Sequence, residues 1–172
     1  MKPSQIENQL YHAAAEEFAY AMQRLARATE ANPGRRDDLL QDMHFQLWKS
    51  FSSYDERCSL KTWVYRVIHN VAASHIDREK RRSVESVDID EITRQPDAAD
   101  LTELVAQEDG LTKLHAWIRK LKLADRQILT LYLEELSAAE ISEITGLKPG
   151  AIATRISRLK AKLAEDFKEA RL

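Results

Sequence analysis

Apolar residues recur along this chain at spacings of three and four, and no stretch alternates in the manner of a strand. Ile6, Leu10, Ala14, Phe18, Ala21, Leu25 and Ala28 share one helical face, which predicts a long first helix over residues 5–30. Asn32-Pro33-Gly34 stops it, because Pro cannot continue the hydrogen-bond ladder and Gly permits the turn. A second helix is predicted from Asp37 to Phe51, with Leu40, Met43, Leu47, Trp48 and Phe51 on its inner side. Asp37 and Asp38 then fall in its first turn, where the helix dipole favours negative charge. Ser59 suits the N-cap of a third helix reaching Arg82, with Leu60, Trp63, Val67, Val71 and Ile76 facing inward. Three such helices bury a small bundle core.

The pattern breaks over residues 83–110, where aliphatics are scattered among acids, with room for a short helix near Leu101–Ala106. That composition predicts a linker. Fully extended, it spans ~90 Å, enough to hold two domains on sites two turns of duplex apart, about 70 Å. Beyond it, Leu111, Leu114, Ile118 and Leu121 mark one helix, and Ile128, Leu131 and Tyr132 mark another beginning near Asp125. Ser137-Ala138-Ala139-Glu140 matches a capping box, opening a short helix over about 138–145 that ends at Gly146. The next helix opens near Pro149 and carries Ile152, Ile156, Leu159 and Leu163 as one stripe. Helix, turn and helix in this order can lay the second helix in a DNA major groove. The expected architecture is all-α: two small helical domains, residues 1–82 and 111–172, joined by an acidic linker.

Charge sharpens this picture. The net charge of −2 is the balance of −2 over residues 1–60, +4 over 61–82, −8 over 83–110 and +4 over 111–172. Two basic segments flanking an acidic one suit two surfaces for a polyanion. From Gly146 to Leu163 there are basic residues and no acid, and Arg155, Arg158 and Lys162 lie off the apolar stripe on one face. Arginine can bond guanine bidentately or hold a phosphate, and lysine mainly supplies the phosphate contact. A basic amphipathic helix used only for packing is the competing reading.

Other features narrow the class. No apolar run approaches the ~20 residues of a membrane helix, and the N-terminus lacks a signal-peptide core, so a cytoplasmic protein is expected. Cys58 stands alone, which excludes an internal disulfide and any Cys-based zinc site, and the five His have no metal-like spacing. No nucleophile–base pair or phosphate loop is evident, so neither enzyme chemistry, a cofactor nor a small-molecule substrate is expected.

A helix-turn-helix alone fits many regulators; the N-terminal half discriminates. Asp38-Leu39-Leu40-Gln41-Asp42-Met43-His44-Phe45-Gln46-Leu47-Trp48 resembles the DLVQEVFLRAW-type helix in region 2 of extracytoplasmic-function sigma factors. Ser59-Leu60-Lys61-Thr62-Trp63-Val64-Tyr65-Arg66-Val67-Ile68-His69-Asn70 is similar to their SLRTWLYRIARN helix, followed by a basic tail. Tyr132-Leu133-Glu134-Glu135-Leu136-Ser137 and the following helices resemble region 4.

The resemblance implies core RNA polymerase and promoter DNA as partners, with an anti-sigma factor as a candidate third. It places Asp38, Gln41 and Asp42 on the polymerase-binding face. It assigns the loop from Ser52 to Ser59 to capture of a flipped minus-ten base. Lys61, Arg66 and Asn70 would meet melted minus-ten DNA, and Arg78, Lys80, Arg81 and Arg82 its phosphates. Trp63 is read as core rather than stacking platform. In the minus-thirty-five helix the implied contacts are Thr154, Arg155, Arg158 and Lys162. Three positions depart from the family pattern: His44 replaces a usual Phe, and Ala151 and Ala153 replace a Thr and a Lys. The alternative is a stand-alone helix-turn-helix regulator with an N-terminal sensing or dimerisation domain.

Overall fold

The computed structural model describes residues 5–85 and 105–169, and every regular element among them is helical. The first predicted helix is two, α1 (Gln5–Glu17) and α2 (Ala19–Thr29). Phe18 between them leaves helical geometry at φ −102° and ψ 11°, although the bonds Phe18 N→Ala14 O and Met22 N→Phe18 O carry the ladder across. Its ring is buried edge-on against Tyr65, 5.7 Å away at 82°. That long-range packing is not visible in the local pattern.

Helix α3 (Pro33–Ser50) starts four residues earlier than its periodicity predicts. Asn32 is its N-cap, accepting a hydrogen bond from Arg35 N at 3.0 Å, and Pro33 sits in the first turn, where its missing N–H costs nothing. The tripeptide that ends one helix therefore begins the next. As a result, the first turn of α3 carries no acid, and Asp37 and Asp38 lie beyond it. Leu39, Met43 and Leu47 are fully buried, while Leu40, assigned inward above, is only partly so.

A short 3-10 turn, Phe51–Ser53, leads to α4 (Leu60–Glu85). Ser59 Oγ accepts from Thr62 N at 3.1 Å, the predicted cap. Val64, Tyr65, Ile68, Val71, Ala72 and Ile76 form its buried face. Trp63 packs against this core, donating to Ser50 Oγ at 2.9 Å, a structural role as expected.

In the second half, α5 (Val105–Arg119) begins inside the predicted acidic segment, as α4 ends three residues within it. Residues 86–104, which include all but the last two positions of the helix anticipated near Leu101–Ala106, lie outside the described residues. Helices α6 (Leu123–Leu133), α7 (Ala138–Thr145) and α8 (Pro149–Glu169) follow. The capping box is reciprocal: Ser137 Oγ accepts from Glu140 N at 3.2 Å, and Glu140 accepts from Ser137 N at 2.7 Å. Gly146 ends α7 at φ +75°, a left-handed conformation that costs a residue without Cβ little. Ile152 and Leu159 are buried on α8, with Ile156 half-buried beside them.

The two halves do not stand apart. Buried residues of α1–α4 and Ile128, Leu131, Leu136, Ile141, Ile144 and Ile152 belong to one continuous hydrophobic cluster. Helix α5 packs on α2, and α7 packs on α4.

Candidate polymerase and promoter interface

Helix α3 presents one polar face to solvent, because its aliphatic stripe is sealed against α2 and α4. Asp38 and Gln41 are exposed there, as the sequence anticipates. Asp42 is half-exposed and pairs with Arg78 of α4 at 3.0 Å, joining two residues that the resemblance assigns to different partners. Phe45, one turn beyond Gln41, is 55% exposed and stacks at 6.1 Å on Trp48. The sequence reading missed it, yet it adds an apolar contact to an otherwise polar face; the signal is its position at i+4 from Gln41, off the buried stripe. His44 turns inward, its Nδ1 3.1 Å from Tyr11 Oη of α1, so this departure from the family pattern is absorbed by a polar partner.

Two of the three α4 residues assigned to melted DNA bond the other half of the chain. Lys61 Nζ bonds Glu140 Oε1 at 3.1 Å, and Arg66 Nη2 donates to Glu143 O at 2.9 Å, both on α7. Thr62 Oγ1 donates to Glu143 Oε2 at 3.4 Å. Hydrogen bonds from Ser137 and then Lys61 hold the Glu140 carboxyl below its usual pKa, so it stays charged in this contact. Asn70 is exposed, as are Arg78, Lys80, Arg81 and Arg82 toward the end of α4. Within the loop before α4, Tyr54 Oη donates to Cys58 O at 3.0 Å and Arg57 pairs with Asp55 at 2.8 Å.

A second bridge ties α2 and α4 to the end of α6. Arg24 grips Glu134 bidentately, Nε to Oε1 at 2.6 Å and Nη2 to Oε2 at 2.5 Å, while Tyr65 Oη donates to Oε2 at 3.2 Å. Burial, then the Glu134 charge, pushes the Tyr65 phenol up, keeping it a donor at neutral pH. Beside it, His69 is buried, and this desolvation pushes its imidazole down to about 3.

On α8, Thr154, Arg158 and Lys162 are exposed and Arg155 half-buried. Asp125 of α6 reaches both arginines, Arg155 at 3.3 Å and Arg158 at 3.9 Å. The Arg158 pair, long and exposed on the arginine side, is worth at most ~1 kcal/mol, whereas Arg155 and Asp125 are both partly buried. Thr154 Oγ1 donates to Gly150 O at 3.0 Å within its own helix. The structure thus gathers the predicted residues on three faces: α3, α4 and α8.

Those faces coincide with two family matches. Residues 15–82 match the model of sigma-70 region 2, and residues 111–163 match that of sigma-70 region 4. The chain belongs to the sigma-70 family, as an extracytoplasmic-function sigma factor. It is 26% identical over 149 residues to the ECF RNA polymerase sigma factor SigW of Bacillus subtilis, covering 80% of this chain and 78% of that protein. Its fold is shared by CnrH in complex with the cytosolic domain of CnrY, at 19% identity and TM-score 0.67, covering 92% of this chain and 88% of that one. It is shared also by the sigma factor RpoE of Bartonella quintana in complex with the anti-sigma factor NepR, at 20% identity and TM-score 0.66, covering 89% and 95%. The region 2 match spans α2, α3 and nearly all of α4, and the region 4 match runs from within α5 through α6 and α7 into α8. The helices once open to a sensing or dimerisation role are region 2, which sets that alternative aside. No helix among the described residues is long and apolar enough to cross a membrane. No cluster of three or more His, Cys, Asp or Glu there is placed to hold a metal.

Proposed function

We propose that this sigma factor docks on core RNA polymerase through the α3 face of Asp38, Gln41, Asp42 and Phe45. It then directs promoter opening through α4 and reads the upstream element through α8. It acts by binding, in the cytoplasm where the polymerase works. Lys61, Arg66 and Asn70 serve the melted minus-ten strand, and Arg78, Lys80, Arg81 and Arg82 hold its phosphates. Thr154, Arg155, Arg158 and Lys162 serve the minus-thirty-five duplex, where Ala151 and Ala153 shorten the reach of the helix toward base edges.

The observation that carries this reading is that Lys61 and Arg66, two α4 residues proposed for melted DNA, are engaged by α7. DNA must therefore compete with these contacts to reach them. Two promoter elements about 70 Å apart require region 4 to separate from region 2. The arrangement seen is therefore the closed form, and polymerase and DNA compete with the contacts that close it. CnrH was captured with the cytosolic domain of CnrY and the Bartonella RpoE with the anti-sigma factor NepR; an anti-sigma partner for this chain would act on the same closed arrangement.

The test is run-off transcription with core polymerase on genomic fragments, alongside co-purification. Wild-type chain is expected to co-purify and to select a discrete set of start sites. Asp38→Arg, an exposed charge reversal, is expected to abolish co-purification while leaving the circular-dichroism spectrum intact. A chain that binds duplex DNA alone and ignores core polymerase would sink the proposal.

A further inference from the structure

A cleft of about 540 Å³ opens between α2, α4 and the α5–α6 turn, away from the α4–α7 contact. Its size falls within the range of small-ligand sites. It is lined by Lys80 and His75 from region 2 and by Arg119 and Arg126 from region 4, together with Glu30 and Glu79. Of the two carboxylates, Glu79 is paired with arginines, whereas Glu30 meets a backbone N–H and a histidine and keeps its charge in the cleft. Glu30 accepts from Asn32 N at 2.8 Å and sits 3.0 Å from His75 Nε2, and Glu79 holds Arg35 at 2.6 Å and Arg82 at 2.9 Å.

The cations are not matched in the same way. Arg119 Nη1 donates to Arg27 O at 2.6 Å, and Arg126 Nη2 to the carbonyls of Arg119 and Leu121, while Arg126 Nε is buried without a partner. Arg36, beside them, donates to the carbonyls of Glu30 and Ala31. Carbonyl bonds satisfy N–H groups but leave the positive charge standing. Burial, then Arg36, holds Arg119 below its ordinary pKa although Glu30 opposes them; burial and Arg119 do the same to Arg126. Lys80 makes no ion pair among the described residues. Three cations thus face one carboxylate, Glu30, that no arginine or lysine pairs. The excess of positive charge lies at a concave site across the seam of the two halves, where an anion would be attracted.

We propose that this cleft binds a compact phosphate-bearing anion, a diphosphate or a nucleotide carrying one, between Lys80 of region 2 and Arg119 and Arg126 of region 4. The forked guanidinium groups suit phosphate oxygens, and the lysine adds a mobile point charge. Because the ligands come from both halves, the anion stabilises the closed form and opposes opening by mass action. Lys80 is then withdrawn from promoter phosphates while the anion is bound. The sigma factor gains a small-molecule brake independent of any protein partner.

The experiment uses the full chain and inorganic pyrophosphate as probe, against sodium chloride at matched ionic strength. Calorimetry is expected to show saturable one-site binding, with a raised Tm and a shortened distance between fluorophores on region 2 and region 4. Lys80→Glu and, separately, Arg119→Gln are expected to weaken that binding about tenfold or more, the loss of one charge-assisted contact. Lys80 is exposed, so its variant keeps the test open if Arg119→Gln fails to fold. Absence of saturable binding, equal binding by Lys80→Glu, or binding without change in the interdomain distance would each overturn the proposal. Adding duplex DNA in place of pyrophosphate separates the sources of phosphate: protection by DNA alone also overturns it. None of these readouts involves polymerase, so a negative result here leaves the sigma-factor reading standing.

Discussion

Replacing Glu134 by Gln should shift the closed form toward the open one, and its size follows from the geometry. Glu134 is the region 4 carboxylate that receives two bonds from Arg24 and one from Tyr65, both of region 2. Its side chain is 12% exposed, so its charge is largely desolvated, but that of Arg24 is 54% exposed and can be rehydrated on opening. A hydrogen bond to a charged group is worth roughly 1.5–3 kcal/mol when shielded, and an exposed pair at most ~1. Gln keeps the shape and one acceptor, so the loss lies between these, at about 1–1.5 kcal/mol, or roughly five- to twelvefold in the opening equilibrium. Single-molecule energy transfer measures that ratio directly, with dyes at Glu16→Cys on α1 and Lys168→Cys on α8 in a Cys58→Ser background. The expected result is an open population raised by that factor in the absence of partners, with tighter apparent binding of core polymerase. An unchanged open fraction would refute the account of Glu134 as a latch. So would an increase accompanied by loss of helicity, which would place the damage inside one half rather than between them.

Two further outcomes follow from local features. His69 is neutral when folded and titrates near its ordinary value when unfolded, so the unfolded chain binds the extra proton between about pH 3 and 6.5. Stability should therefore fall as pH drops below about 6.5, by about 2 kcal/mol from pH 7 to pH 5 on this account; urea unfolding of His69→Gln, compared with wild type at both values, should lack that component. Ser137→Ala removes one arm of the capping box and should cost about 1 kcal/mol by thermal melting. It should also loosen the Lys61 contact through Glu140, and an unshifted Tm would contradict the importance given to this cap.

The short-range signals in the chain proved informative because they are short-range. The capping box, the Gly146 turn and the Ser59 cap each depend on residues within four positions, and each forms where the pattern puts it. The amphipathic stripes are likewise a matter of periodicity, and they placed Asp38, Gln41 and the basic end of α4 on exposed faces. Misreadings arose where one local cue could serve two purposes. Asn32-Pro33-Gly34 reads as a stop, yet Asn32 and Pro33 are also an N-cap and first turn, which moved the start of α3. The stripe through Phe18 reads as one helix, and only the ring of Tyr65 across the core accounts for where Phe18 packs.

By itself, then, the sequence determined the helical class and the capped helix, turn and helix near its end, because spacing and caps are written along the chain, while the family was legible through the resemblance of two motifs. It could not determine that the two parts close on one another. That depends on pairs such as Arg24 with Glu134, Lys61 with Glu140 and Arg66 with Glu143, separated by 77 to 110 positions. Nor could it bring Lys80 to Arg119 and Arg126 around one cleft. A charge on an exposed helix face looks the same in sequence whether it awaits DNA, pairs with Asp125 as Arg155 does, or seals an interface. Only packing assigns its partner, since electrostatic energy depends on distance in space and on desolvation rather than on separation along the chain.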